Sequence, residues 1–261
     1  MSRKVTIGII GYGYLGKALH QGLADTGVEV SRIFNRSAER LAGLPDKVAT
    51  TDMNEFMNAV VGLKLVVELA HPDISKDWGE RILEHSDYMP CSVAALADRA
   101  LKERMLTTAA NAGTRLLVPH GAVVGIDNLY EARANRQDVT ITFRKPPASL
   151  GLETEPEADE TVLFEGPVRE IAEKFPRNVN AMVACALATV GVDKATARLV
   201  ADRRLDIMLR GEFEFRGKDG SRLSIIKEEP AVGVSSPGMV TSILGSVRRA
   251  LQQPTKGINF V

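Results

Sequence analysis

A chain of 261 residues suffices for one large or two modest domains. Its 33 Lys and Arg balance 33 Asp and Glu, which leaves no net field to attract nucleic acid or an anionic membrane surface. The longest apolar helix candidate, residues 181–192, is shorter than the about 20 residues a bilayer span requires.

The chain begins with an apolar run rich in β-branched residues, Val5 to Ile10, that reads as a strand. Gly11, Gly13 and Gly16 follow in the G-x-G-x-x-G spacing, and Leu15, Leu19 and Leu23 then recur at helical intervals. Strand, tight turn and helix in this order predict a dinucleotide site. Gly11 permits the turn, Gly13 lets the backbone approach a pyrophosphate, and Gly16 lets the helix pack on the strand. The N–H groups at the helix start, around Tyr14 and Leu15, are expected to hold the phosphates. Residues 28–34 form the second strand, which ends in Asn35-Arg36-Ser37, where an acidic residue would select NAD by binding the ribose 2′-hydroxyl. Asn35 removes that acid, and Arg36 with Ser37 offers a cation and a hydroxyl, so NADP is expected, with NAD as the second choice.

A third strand is expected at 46–50, a helix at 54–61 and a buried fourth strand at 65–70. Ala70, His71 and Pro72 then fall at the carboxyl end of that strand, where open α/β sheets bind ligands, and all three are assigned to the cofactor's surroundings. His71 is read as a loop residue rather than a proton carrier, and Asp73 as the cap of the next helix. A fifth strand follows at 87–92, an alanine-rich helix at 94–112 closed by Gly113, and a sixth strand at 115–118. This alternation means a doubly wound parallel sheet. The two cysteines, Cys91 and Cys185, lie far apart without metal-ligand spacing. They are read as reduced, buried thiols of a cytoplasmic protein, no metal is expected, and Met1 leads into the first strand without room for a signal peptide.

Past residue 118 the pattern changes. Residues 119–127 read as a loop entering a helix, 139–143 as a strand with one wet face, and Lys145-Pro146-Pro147 as its breaker. An acidic loop is expected at 151–159, a strand at 161–164, helices at 168–175 and 180–190, and strands at 195–201, 208–215 and 222–226. The last helix, 238–251, is expected to return to the first domain. The fold class is therefore α/β: a Rossmann domain over 1–118, completed by 237–261, and a second α+β domain over 119–236 with a mostly antiparallel sheet. That second domain is assigned to substrate binding and to homodimer formation, because its sheet would otherwise expose one face.

Several blocks resemble the L-aspartate dehydrogenase family: Gly11 to Gly16, Pro119-His120-Gly121-Ala122 through Asp127, Lys145-Pro146-Pro147 with Ser149 to Leu152, Phe164-Glu165-Gly166, and Phe175 to Asn180. The resemblance implies NAD(P) and the reversible oxidative deamination of L-aspartate to iminosuccinate. It also places Ala122 and Asn180 at cofactor-contacting positions. A catalytic histidine is implied shortly after Ala201-Asp202, but counting along the chain puts Arg210 there, or Leu209 with a slip of one. A lysine implied near Ser236 to Met239 is also absent, and a small hydroxyl residue implied before Gly121 is His120 instead.

His120 is then the candidate proton carrier and Arg210 the candidate fork for a substrate carboxylate. The bland alternatives, a backbone-satisfied histidine and a surface arginine, stay open. Three functions follow in order of preference. They are an NADP-dependent amino-acid dehydrogenase or imine reductase of altered substrate range, a genuine aspartate dehydrogenase, and an NADP-binding sensor without catalysis.

Overall fold

The computed structural model describes residues 5–24, 26–152, 156–177, 179–230 and 237–252. β1 (Val5–Ile10) lies at the centre of a five-stranded sheet ordered β3-β2-β1-β4-β5. Its neighbours are β2 (Val28–Phe34), β3 (Ala49–Thr50), β4 (Leu65–Glu68) and β5 (Asp87–Pro90), and every pairing is parallel. β4 is buried along its whole length, which is why it reads as a continuous apolar run rather than an alternating one. The strand order reverses between β1 and β4, the switch point at which such sheets bind ligands. Four helices accompany these strands: α1 (Tyr14–Leu23), α2 (Met53–Val60), α3 (Pro72–Leu83) and α4 (Arg99–Ala112).

Several sequence expectations are corrected here. The expected sixth strand is a single bridge between Leu116 and Tyr88, because Pro90 has no N–H with which β5 could extend the ladder. The third strand shortens to Ala49–Thr50, since Val48 and Ala49 donate back to the Pro45 carbonyl in a turn. The long alanine-rich helix is broken: Val93–Ala97 form a 3₁₀ turn and α4 begins at Arg99. High helix propensity is overridden there by packing, because Val93–Asp98 belong to a different compact unit from α4. The cap of α3 is His71, which accepts from the Asp73 N–H at 3.3 Å, so Asp73 is a first-turn residue rather than the cap.

The chain forms two compact units. The first holds the chain up to Ser92, Arg99–Pro119 and the chain from Val240; the second holds Val93–Asp98 and His120–Met239. α8 (Pro237–Ala250) thus contributes most of its length to the first unit. There Leu244 lies 3.1 Å from where a Cβ on Gly22 would sit, and Arg115 donates to the Ala250 carbonyl at 2.8 Å.

The second unit contains α5 (Ile126–Glu131), β6 (Arg136–Lys145), β7 (Glu160–Pro167), α6 (Val168–Lys174), α7 (Asn180–Leu187), β8 (Thr196–Asp202), β9 (Met208–Gly217) and β10 (Arg222–Pro230). The sheet order is β10-β9-β6-β8-β7. β6 and β8 are parallel and the remaining pairs antiparallel, so the sheet is mixed. One face is apolar, with Phe143 meeting Phe213 edge-on at 6.0 Å and Val139, Ile141 and Phe215 buried. The helices cover this face: Arg136 lies over the Phe215 ring and its charge also acts on Cys185 of α7. The opposite face is charged.

Candidate active site

The three glycines of the first turn are not equivalent. Gly11 has φ +96°, and a Cβ there would lie 2.7 Å from the Leu69 carbonyl oxygen. A Cβ on Gly16 would lie 2.1 Å from the Gly11 oxygen. Both positions are glycine so that the turn can close on itself. Around Gly13 there is room: the nearest atom to a Cβ would be Arg40 Nη1, at 3.9 Å. Gly13 is also the N-cap of α1, and no side chain caps that helix, so the N–H groups of its first turn face an open cradle. A pyrophosphate fits that combination of space and donors, and Tyr14 and Leu15 lie in the first turn.

Asn35 closes the rear of this cradle. Its Oδ1 accepts from the Tyr12 N–H and its Nδ2 donates to the Ser37 carbonyl, both at 3.0 Å. The side chain therefore braces the glycine turn against the turn that follows β2, while removing the acid that would repel a 2′-phosphate. Arg36 is exposed beside it, and Ser37 precedes a 3₁₀ turn over Ala38–Leu41. That turn brings Arg40 back over Gly13. Arg40 was missed in the sequence, although its spacing of four from Arg36 is a readable signal of two cations on one side of a turn.

Glu68, at the carboxyl end of β4, was also missed, because the sequence reads it as an interior residue of an apolar strand over 65–70. It is fully buried. Its carboxylate accepts from Ala70 N at 2.6 Å, Ser92 N at 3.0 Å and Ser92 Oγ at 2.9 Å. Burial pushes its pKa up and these hydrogen bonds oppose the shift. The residue ties the loop of Ala70, His71 and Pro72 to the loop after β5, two loops at the ligand-binding edge of the parallel sheet.

In the second unit, His120 Nε2 lies 2.9 Å from Asp127 Oδ1 in the first turn of α5. A carboxylate held against an imidazole nitrogen orients the ring, an arrangement suited to moving a proton. Ala122 follows His120 in the turn that Val123 N closes by donating to the His120 carbonyl, and is part-exposed. Asn180 is the first residue of α7, and its Oδ1 accepts from Ala94 N at 3.0 Å, so it fixes the 93–97 turn.

Arg210 sits on the charged face of the mixed sheet. It donates to Glu212 and to Glu228, each at 2.7 Å. Glu212 also takes Arg144 at 2.9 Å, Arg144 takes Glu160 at 2.6 Å, and Glu160 takes Arg204 at 2.9 Å. The expectation of Arg210 as a fork awaiting a substrate carboxylate does not match this arrangement, because two carboxylates of the chain already occupy its guanidinium. A cavity of about 370 Å³ adjoins these groups, lined by guanidiniums and carboxylates that are paired with one another. On the other side of the same strands, Lys145 is buried at 6 % exposure, and burial draws its pKa down to about 8. It was read only as part of a strand breaker. Among the described residues there is no group of three or more His, Cys, Asp or Glu placed to hold a metal, and no helix is long and apolar enough to cross a membrane.

Comparison with known proteins places this geometry in context. The family model described as homoserine dehydrogenase, NAD binding domain, matches residues 7–119. The one described as aspartate dehydrogenase, C-terminal, matches residues 127–250. An aspartate dehydrogenase domain-containing protein of Xenopus tropicalis is 33 % identical over 92 % of this chain and 91 % of its own. An L-aspartate dehydrogenase of Methanosarcina mazei is 34 % identical over 79 % of this chain and 84 % of its own. The crystal structure of aspartate dehydrogenase from Thermotoga maritima superposes with a TM-score of 0.78 at 27 % identity, covering 99 % of this chain and 100 % of that one.

Proposed function

The chain belongs to the aspartate dehydrogenase family, and from that premise we propose that it is an NADP-dependent amino-acid dehydrogenase whose substrate range has moved away from L-aspartate. The observation that carries this reading is a contrast within the molecule. The dinucleotide cradle is intact, while the position to which the family resemblance assigns a histidine holds Arg210, already bound by Glu212 and Glu228.

A nicotinamide held by this chain would supply the hydride acceptor or donor. The residues of the chain do the rest. The α1 first turn and Arg40 would hold the pyrophosphate, and Arg36 and Ser37 would take the 2′-phosphate. Glu68 keeps the loop carrying Ala70, His71 and Pro72 in place, and the family resemblance assigns Ala122 and Asn180 to cofactor contacts. His120, oriented by Asp127, takes the proton that the substrate amine must lose before the Cα hydride can leave. The protein acts as a homodimer through the charged face of the mixed sheet, where Ile226 and Val162 remain exposed; a dimer mass at micromolar concentration checks this.

The test of function follows NADPH formation with a panel of amino acids and NADPH consumption with keto acids plus ammonia or amines. The expected result is turnover of an amino acid other than aspartate, a weak rate with aspartate, and loss of about 10²–10⁴ in rate for His120→Ala with NADPH affinity kept. A second reading, genuine aspartate dehydrogenase, is favoured by the relatives that carry that name, and ordinary efficiency with aspartate would establish it. Tight NADPH binding with no turnover across the panel would leave a sensor.

A further inference from the structure

We propose that Glu68 is a positioning residue for the dinucleotide: its carboxylate, in the charged form, sets the wall beside the glycine turn, so that cofactor affinity falls when this one side chain takes up a proton. The role rests on the dinucleotide part of the reading above and not on the amino acid. Three observations carry it.

The first is what the two carboxylate oxygens face. Oε1 accepts from Ala70 N at 2.6 Å and from Ser92 Oγ at 2.9 Å, and Oε2 accepts from Ser92 N at 3.0 Å. The His71 N–H also acts on the carboxylate. An ionised carboxylate only accepts, which suits these donors. A carboxylic acid must place a proton on one oxygen, and each oxygen already faces a backbone N–H. Protonation therefore sets a proton against Ala70 N or weakens the hold on Ser92 N, and one of the two loops must shift.

The second is what Ala70 touches. The Glu68 backbone is fixed in the sheet, with Cys91 N donating to its carbonyl at 2.8 Å and Leu69 N donating to the Ile10 carbonyl at 2.7 Å. Leu69 and Ala70 then form the wall beside Gly11. A Cβ on Gly11 would lie 2.7 Å from the Leu69 carbonyl oxygen and 3.0 Å from Ala70 Cβ. The Gly11 oxygen in turn abuts Gly16. The carboxylate reaches the cradle in two steps, through Ala70 N and then through the body of Ala70 against Gly11.

The third is the setting of the charge. Glu68 is 0 % exposed. Its titratable neighbours are Tyr88 on β5 and Cys91 after it, and burial together with the Glu68 charge holds both protonated. β1 presents Ile10 beside it and β5 presents Pro90. From α3, Ser75 Oγ meets the Tyr88 hydroxyl at 3.0 Å, while His71 and Lys76 both pair with Asp73 at the exposed start of the helix. Burial raises the Glu68 pKa against the pull of its hydrogen bonds, so the proton arrives in milder acid than for an exposed glutamate. Cofactor affinity is full above that pKa and falls as pH drops through it. Stability runs the other way. With the folded pKa above the unfolded one, the folded chain binds more protons in this window, and the contribution of this carboxyl to stability rises as pH falls. An acid loss of cofactor from Glu68 is therefore separable from unfolding.

The test is calorimetric titration of NADP and, separately, of NAD between pH 8 and pH 5, with thermal unfolding followed at each pH. Glu68→Gln keeps the size of the side chain and sets an amide NH₂ where one oxygen met a donor. It should weaken the tighter cofactor about tenfold or more at pH 8, and the gap to the unaltered protein should close towards pH 5. The phosphates of the ligand titrate alike in both titrations, so the gap reports the protein. Ser92→Ala removes one hydrogen bond to the charged form and should move the acid loss to higher pH by about half a unit or more. His71→Gln removes the nearby imidazole and should leave the acid loss at its original pH. A gap that stays constant with pH, an acid loss that Ser92→Ala does not move, or one that vanishes in His71→Gln overturns the proposal. If Glu68→Gln does not fold, Ser92→Ala and His71→Gln decide it. Failure of the unaltered protein to bind either dinucleotide at pH 8 overturns the proposal together with the cofactor reading; binding without the expected pH response overturns the proposal alone.

Discussion

The two units of this molecule arrange their polar groups with different material. The first uses backbone. Its cradle is a turn closed by Gly11 and Gly16, opened by Gly13 and completed by uncapped N–H groups of α1. The second uses side chains, and most of them answer one another. Glu228, Arg210, Glu212, Arg144, Glu160, Arg204 and Asp202 form an alternating ladder across one face of the mixed sheet. A backbone site demands particular residues at fixed offsets, whereas a side-chain site depends on which strands become neighbours.

The sharpest way to break this comparison is to add one methyl group to the backbone site. In Gly16→Ala the new Cβ would meet the Gly11 carbonyl oxygen at 2.1 Å, and no flexible side-chain end can give way. NADPH affinity is expected to fall at least about 100-fold, close to 3 kcal/mol, with a lower thermal midpoint. Gly13→Ala should also weaken NADPH, since its Cβ enters the cradle, but it should leave the midpoint of the unliganded protein unchanged. Fluorescence titration and thermal unfolding of both variants check this; equal losses of stability would mean that Gly13 is structural too.

The next effect concerns the side-chain unit and has the opposite sign. Lys145 has an ordinary pKa of 10.5 and a folded value of about 8. The depressed folded value means that the unfolded chain binds more protons between these two pH values, so stability rises with pH there and the full penalty is felt below pH 8. Lys145→Met removes the buried charge and keeps most of the stem. It should stabilise the protein at pH 7 by roughly 2–3 kcal/mol, with the gain shrinking as pH climbs from 8 to 10.5. Denaturant unfolding across that range tests it. A variant less stable at pH 7 would show that the ammonium is a structural asset.

The same contrast explains what could be read from the sequence. The strand, glycine turn and helix at the start were legible because few residue types tolerate that backbone. Most strands and helices of the second unit were legible from period and punctuation, but their pairing was not. Asp202, Glu212 and Glu228 are separated by many residues and meet the arginines only because β8, β9 and β10 take their places around β6. Arg210 and Glu212 do alternate onto one side of a strand, a local hint that the arginine had a partner. Lys145 announced a turn through the two prolines after it, and nothing local in the sequence signalled its burial. Residues 93–97 carried a helical composition and became a 3₁₀ turn because Asn180, 86 positions away, holds Ala94.

Smaller effects separate the two arginines beside the cradle. Arg40 lies over Gly13, where both dinucleotides carry the same pyrophosphate. Arg40→Ala should weaken NADPH and NADH alike, by about 1 kcal/mol each. Arg36 stands where the ribose is expected, so Arg36→Ala should weaken NADPH more than NADH, by about 1–2 kcal/mol. Titrations with both cofactors decide it, and a selective loss in Arg40→Ala would exchange the two assignments.

The smallest effect is expected where the ladder is most conspicuous. Arg210 has two carboxylate partners at 2.7 Å, and Glu212 and Glu228 hold its guanidinium charged by direct hydrogen bonds that raise its pKa further. The side chain is 34 % exposed and Glu228 is 49 % exposed, so water screens both interactions. Exposed pairs of this kind contribute on the order of 0–1 kcal/mol even with good geometry. Glu212 keeps a second partner in Arg144, so losing Arg210 leaves no buried carboxylate unpaired. Arg210→Gln preserves much of the volume and can still donate one hydrogen bond. Stability should therefore change by less than about 1 kcal/mol, and KM for the amino acid by less than about threefold. A large rise in KM with stability intact would show that Arg210 leaves its carboxylates to take a substrate carboxylate on the charged face.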